Sequence, residues 1–338
     1  MSDRLKGILS LVASLALGAG LLWLALRHAD LEAVGVALAQ GEWIWMVPYI
    51  ITGLISVAIR AWRWGLLVDA LPERTARTPI RDTSASVVIG YLVNYAAPRL
   101  GEVARAAHLS RRTSAPFAGV FGTVVAERVL DVIGLAAVLL SVAILFGDRV
   151  TGLLQTAAGG ALDMLGAVPV WLLVVLSIVG VASLVGGAVL IRRGRSRFAS
   201  LLEAFRGGLV SVARTGRPGS VVLSTVLLWL TYGLMADLPL RLLGLDEAFG
   251  LGLVDAWAVM AIGGIGMAIP SPGGTGSFHY ATVQALTLLF AVGATPAATY
   301  ALLVHAAGVV FYCILGVLAL AATGTTFKGI TGAARRVA

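Results

Sequence analysis

Charge, sulfur and acid are all scarce in this chain. Only 12% of its 338 residues are charged, against 59% that are hydrophobic, and the mean hydropathy is +0.94. A soluble domain of this size needs far more polar surface, so the balance excludes one and implies a polytopic membrane protein. A single cysteine, Cys313, excludes an intrachain disulfide and leaves no pair for dithiol chemistry. There are four histidines, and nowhere does a metal-ligand spacing or a nucleophile with its base emerge. The chain is therefore expected not to be an enzyme and to need no cofactor. The glycine-rich stretch 263–276 lacks a following Gly-Lys-Ser/Thr and has no strand before it, which excludes a nucleotide loop. Acid is scarcer than base: 17 Asp and Glu face 25 Lys and Arg, a net charge of +8. In a soluble protein that surplus would point to nucleic acid. Here the basic residues fall in short connections between apolar runs, where the positive-inside rule accounts for them and no nucleic-acid partner is expected.

Six runs are long and apolar enough to span a bilayer: 7–26, 43–66, 116–146, 169–191, 221–243 and 297–322. The first follows Arg4 and Lys6 in the manner of a signal peptide. It is longer than a signal core and more spans follow, so it is expected to be a retained anchor. The run 116–146 exceeds an upright crossing and must tilt or protrude. The stretch 150–168 is rich in Gly and Ala and reads as interfacial. Apolar residues at Phe198, Leu201, Leu202, Phe205, Leu209 and Val212 predict an amphipathic helix over 198–214 on the inner leaflet. Arginines follow alternate spans, while the loops 27–42, 147–149 and 246–248 carry at least as much acid as base. Both termini are thus expected in the cytoplasm of a bacterial cell, with the chain in its inner membrane.

Two further apolar runs are broken by proline and glycine. The segments 84–97 and 100–109 flank Pro98, with Gly101 near the start of the second; the segments 251–269 and 276–292 flank Pro270, Pro272, Gly273 and Gly274. Ala-x-Pro-x-x-Gly recurs in both, from Ala96 to Gly101 and from Ala268 to Gly273. Proline removes a donor and glycine frees the backbone, so each ends a helix. Within a bilayer such breaks are tolerated where protein or a wet cavity satisfies the freed groups, and paired breaks in two halves mark transporter sites. Three spans separate the two, so the hairpins are expected to open to opposite faces. The expected fold is an all-α polytopic membrane protein with about six spanning helices and two re-entrant broken-helix hairpins in an inverted repeat. Its first half covers 1–146, an interfacial connection 147–168, and its second half 169–338.

Ionisable residues at membrane depth cost about 2.5–3.5 kcal/mol each at a helix centre, so they persist where they pair or face water. The run 116–146 carries Glu127, Arg128 and Asp131. Glu127 and Asp131 share a face, and Arg128 can pair with Asp131 three residues on. The first hairpin adds Asn94, Arg99, Glu102 and Arg105. Two readings stand: the charges pin hairpin to helix, or they contact a substrate. Arg99 offers a planar fork for phosphate or, alternatively, snorkels to the interface. In the second hairpin Pro270, Pro272, Gly273 and Gly274 form a turn poor in side chains, which either admits a head group or simply packs. Apart from the weakly acidic Tyr280, His279 is the titratable residue on its return arm, either functional or satisfied by a neighbour. Arg60-Ala61-Trp62-Arg63-Trp64 reads as an interfacial anchor.

These motifs in this order resemble a known family. Arg60-Ala-Trp-Arg63-Trp64, Asn94-x-x-x-Pro98-x-x-Gly101-Glu102-x-x-Arg105, Glu127-Arg128-x-x-Asp131 and Pro270-x-Pro272-Gly273-Gly274-x-Gly276 are similar to those of the flippase-like family named for the membrane region of lysylphosphatidylglycerol synthase. The resemblance spans nearly the whole chain. It implies paired re-entrant segments and movement of charged lipids between leaflets. Members fused to a soluble aminoacyltransferase also make the lipid, and with the chain ending at Ala338 that transfer is expected to be absent. Where the family carries a glutamate after the Pro-Gly-Gly turn, His279 stands here. The expectation is a lipid translocase for a charged phospholipid or polyprenyl-linked lipid, with self-association left open. A proton-coupled transporter of a soluble anion and a membrane subunit of a lipid-modifying enzyme are the alternatives.

Overall fold

A chain in hydrocarbon must satisfy its own backbone hydrogen bonds, and every regular element among the described residues is helical. The structure, a computed structural model, describes residues 3–72, 74, 76–96, 100–113, 115–147, 149, 212–269 and 271–326. In chain order these give α1 (Asp3–Leu26), α2 (Leu31–Gln40), α3 (Met46–Asp69, entered through a 3-10 turn at Trp43–Trp45), α4 (Ile80–Ala96), α5 (Gly101–Thr113) and α6 (Phe117–Leu145). After residue 211 come α7 (Pro218–Leu242), α8 (Leu245–Phe249), α9 (Leu253–Ala268), α10 (Ser277–Phe290) and α11 (Ala294–Thr323).

Four helices among the described residues are long and apolar enough to cross a membrane: Trp43–Asp69, Phe117–Leu145, Pro218–Leu242 and Ala294–Thr323. They match four of the six runs expected from sequence. The run 7–26 is helical, but its described apolar part, Ser14–Leu26, is shorter than these four. The run 169–191, the interfacial stretch 150–168 and all but the end of the amphipathic stretch 198–214 lie outside the described residues. The connection 27–42 holds a helix that the charge reading passed over. Asp30 caps α2, its carboxylate accepting from the N–H groups of Glu32 and Ala33.

α6 has 29 residues, about 43 Å of helix against a hydrocarbon core of about 30 Å, so it must tilt or protrude. Val132, Ile133, Leu140, Ile144 and Leu145 stand exposed along it. Arg60, Arg63, Arg105 and Glu127 are buried inside. Apolar outside and polar within is the arrangement a bilayer favours.

The two broken runs form helix pairs. α4 packs on α5, and α9 on α10. With 17, 13, 16 and 14 residues, the four arms reach about 20–25 Å, each short of the hydrocarbon core. Both pairs lie against α6 and α11: α5 and α9 contact α6, while α4 and α10 contact α11. The first pair closes tightly because a Cβ on Gly101 would stand 2.2 Å from the Gly90 carbonyl oxygen. The second turns through Pro272–Gly274, where Gly273, Gly274 and Gly276 all have positive φ, a conformation that a side chain opposes.

A buried ion cluster between the first hairpin, α3 and α6

α6 presents Glu127 and Asp131 one turn apart, and α3 presents Arg60 and Arg63 three residues apart, so both pairs lie along facing stripes. Packing α3 on α6 brings the stripes together. Glu127 has no exposed surface, nor has the Arg63 side chain. Arg60 Nη1 donates to Glu127 Oε1 and lies 3.1 Å from Asp131 Oδ2. Arg63 Nη2 donates to Glu127 Oε1 at 3.2 Å and to Asp131 Oδ1 at 2.5 Å. α7 completes the set, with Tyr232 Oη 2.8 Å from Arg60 Nη2 and Thr225 Oγ1 3.3 Å from Arg63 Nη1.

The hairpin enters the cluster through α5. Arg105 Nη1 lies 2.8 Å from Glu127 Oε2, and its guanidinium sits 4.9 Å above the Trp64 ring, an additional cation–π contact. Trp64 is held in turn by donating its indole N–H to Thr123 Oγ1 at 2.9 Å. Arg128 bridges outward, with Nη1 3.1 Å from Asp131 Oδ2 and Nη2 3.0 Å from Glu102 Oε1. This end is open: the Arg128 side chain is 41% exposed and that of Glu102 27%. Asn94 spans the break in the hairpin. Its Oδ1 accepts the Gly101 N–H at 2.8 Å, and its Nδ2 donates to Glu102 Oε2 at 3.3 Å.

Within these contacts stand four arginines, Arg60, Arg63, Arg105 and Arg128, and three carboxylates, Glu102, Glu127 and Asp131. One positive charge is left over. Arg105 Nε and Nη2, both buried, have no hydrogen-bond partner among the described residues. Single ion pairs at depth rarely repay desolvation; a shared network does so better because each charge meets several opposites.

Farther along the hairpin, Asp82 Oδ1 accepts from Arg112 Nε at 2.6 Å and Ser86 Oγ meets His108 Nδ1 at 2.7 Å. Burial holds the His108 imidazole down to about 4, and nearby Arg112 pushes the same way.

Six residues singled out from sequence thus converge: Asn94, Glu102, Arg105, Glu127, Arg128 and Asp131. Pro272, Gly273, Gly274 and His279 form a separate locality. A Cβ on Gly273 would stand 3.2 Å from the Tyr95 ring, so the turn approaches the end of α4 without an ion pair to the cluster among the described residues. His279 Nδ1 accepts the Gly276 N–H at 3.3 Å, capping α10, and its ring lies 4.7 Å from that of His305. Arg99 and Pro270 lie outside the described residues.

Reading Arg60 and Arg63 as interfacial anchors is corrected by this geometry. Both are buried, and they supply half of the cluster's cations. A signal was present: both fall inside the apolar run 43–66, at a depth where unpaired charge is too costly. Among the described residues no group of three or more His, Cys, Asp or Glu could hold a metal ion.

Comparison with known proteins adds one match. A family model described as the lysylphosphatidylglycerol synthase TM region matches residues 11–316, a range that contains every residue of the cluster. No curated protein and no solved structure matches the chain.

Proposed function

We propose, for a chain that belongs to the family of the lysylphosphatidylglycerol synthase TM region, a translocase that carries a charged lipid between the leaflets of a bacterial inner membrane. The observation that carries this reading is the surplus positive charge of the buried cluster, whose open end lies at Arg128 and Glu102. A surplus cation at membrane depth requires a counter-charge. The phosphate of a lipid head supplies one, and arginine binds phosphate oxygens through paired donors.

Arg105 and Arg128 are assigned to the phosphate, with Arg99 assigned by residue type and position in the chain. Glu102 is assigned to an amine where the head carries one. Glu127 and Asp131 hold the arginines apart and in place. The turn Pro270–Gly274 and His279 are assigned to the opposite approach. With the hairpins entering from opposite faces, as the loop charges imply, each would gate one leaflet while α6 and α11 hold both. No step is covalent, so no catalytic group, metal or cofactor is assigned.

The test is reconstitution into liposomes containing phosphatidylglycerol labelled on an acyl chain, with a membrane-impermeant quencher added outside. The wild-type chain should expose more label than protein-free vesicles, and Arg105→Gln/Glu127→Gln should return the exposure towards the blank. Equal exposure with and without protein, for anionic, zwitterionic and aminoacylated lipids alike, would sink the proposal.

A further inference from the structure

Between α3, the connection that precedes α4 and the start of α7 lie two adjoining clefts, of about 280 Å³ and 150 Å³. Leu66, Asp69, Arg77 and Arg217 line both. The two arginines come from separate parts of the chain, and neither side chain has a hydrogen bond or ion pair among the described residues. The other described charges lining the clefts, Arg74 and Asp69, are already engaged. Arg74 donates to the carbonyls of Thr113 and Ala76 and lies 3.3 Å from Thr78 Oγ1. Asp69 Oδ1 accepts from the N–H and hydroxyl of Thr78, each at 2.7 Å. Among the described lining residues, three arginines stand against one aspartate, and the free donors belong to Arg77 and Arg217.

The remaining walls mix apolar residues with Thr78, Thr83 and Thr215. The smaller cleft is lined by Ala61, Trp62, Gly65 and Ile80, of which Trp62 and Ile80 are exposed. Ala61 and Gly65 are level with Arg63 on α3 but on the opposite side of the helix, so the apolar wall reaches the height of the ion cluster from behind α3. The mouth carries arginine, and the positive-inside rule assigns that face to the cytoplasm. A cationic rim above an apolar wall, at a membrane boundary, fits an amphiphile better than a soluble ion.

We infer that this groove is the loading site, where a phospholipid of the inner leaflet docks by its phosphate on Arg77 and Arg217 before its head reaches the cluster. The inference rests on the translocase reading and adds where the lipid is taken up. Free phosphate shares the anion, but the apolar wall beneath the arginines commits the groove to a lipid.

The test places a photoreactive benzophenone residue at Ile80 in the full chain, reconstituted in bilayers containing phosphatidylglycerol. The same probe at Leu140, exposed on α6, reports lipid that merely surrounds the protein. Adducts with phosphatidylglycerol should form several-fold more readily at position 80. Each of Arg77→Gln and Arg217→Gln should lower that yield about fivefold, while Arg81→Gln and Arg111→Gln, exposed but outside the clefts, should not. Equal yields at the two positions, or a yield indifferent to Arg77 and Arg217, would overturn the loading site. So would loss of the adduct on adding millimolar inorganic phosphate at constant ionic strength, which would make the groove a free-phosphate site. Because cross-linking reads binding alone, arginine-dependent adducts from a chain that moves no lipid would uphold the groove and end the translocase reading. Transport without such adducts would do the reverse.

Discussion

Arg105 in the first hairpin stands 2.8 Å from Glu127 in α6, and both side chains are almost fully buried, at 4% and 0% exposed. The pair joins a helix too short to cross a bilayer to one longer than a crossing requires. With the Arg128–Glu102 bridge, it ties the hairpin to the ion cluster.

Glu127→Gln should therefore strand Arg105, while Arg105→Gln leaves Glu127 with Arg60 and Arg63. Glu127→Gln should cost about 3–5 kcal/mol and Arg105→Gln less, and the double variant should cost clearly less than their sum. Thermal unfolding of purified protein in one detergent measures all four corners of this cycle. Additive losses would mean that Glu127 is served by Arg60 and Arg63 without the hairpin.

Arg63 serves Glu127, Asp131 and Thr225 with two nitrogens, which a lysine ammonium cannot reproduce from one point. Arg63→Lys should lower stability by about 2 kcal/mol or more, within the range for buried charge-assisted bonds. Arg111→Lys, at an exposed position, should be neutral within about 0.5 kcal/mol. Equal melting temperatures for the two would restore the anchoring role to Arg63.

Gly101→Ala should open the first hairpin, because the new Cβ would fall 2.2 Å from the Gly90 carbonyl and 2.4 Å from the Asn94 side chain. Backbone would have to move, and the Asn94 bridge to Gly101 and Glu102 would go with it. Gly122→Ala makes the opposite control. Nothing among the described residues lies within 4 Å of a Cβ there, and alanine gains up to about 1 kcal/mol over glycine within a helix. The melting temperature should fall for the first variant and hold or rise for the second.

His108 should make the hairpin sensitive to acid. Its ordinary value of 6.5 is held down to about 4 in the folded chain, so the unfolded chain takes up its proton first. The associated stability is whole above about 6.5 and is lost as the pH falls towards 4. The melting temperature of the wild type should drop more steeply over that window than that of His108→Gln, in which the titrating group is absent. Parallel curves would show that His108 is hydrated in the folded chain.

Membrane character was legible in composition, and the helix breaks were legible in residues whose effect is local. Pro98, Gly101, Pro272 and Gly273 act on their own backbone, so position in the chain suffices to read them. Glu127, Arg128 and Asp131 were legible for a different reason: within one helix, spacing alone fixes which side chains share a face.

Other features needed partners far away in sequence. Arg60 and Arg63 read as interfacial anchors because an arginine near a span end is usually explained by the interface, and nothing local says that α6 will lie against them. The capping of α10 by His279 and its approach to His305 likewise depend on how α10 meets α11. The sequence by itself determined where charge sits along each helix and where the helices break, since both follow from neighbouring residues. Only the tertiary structure decided which charges meet. Pairing energy depends on distance and burial across separate helices, and a surplus of one positive charge cannot be counted until all seven ionised groups share a single site.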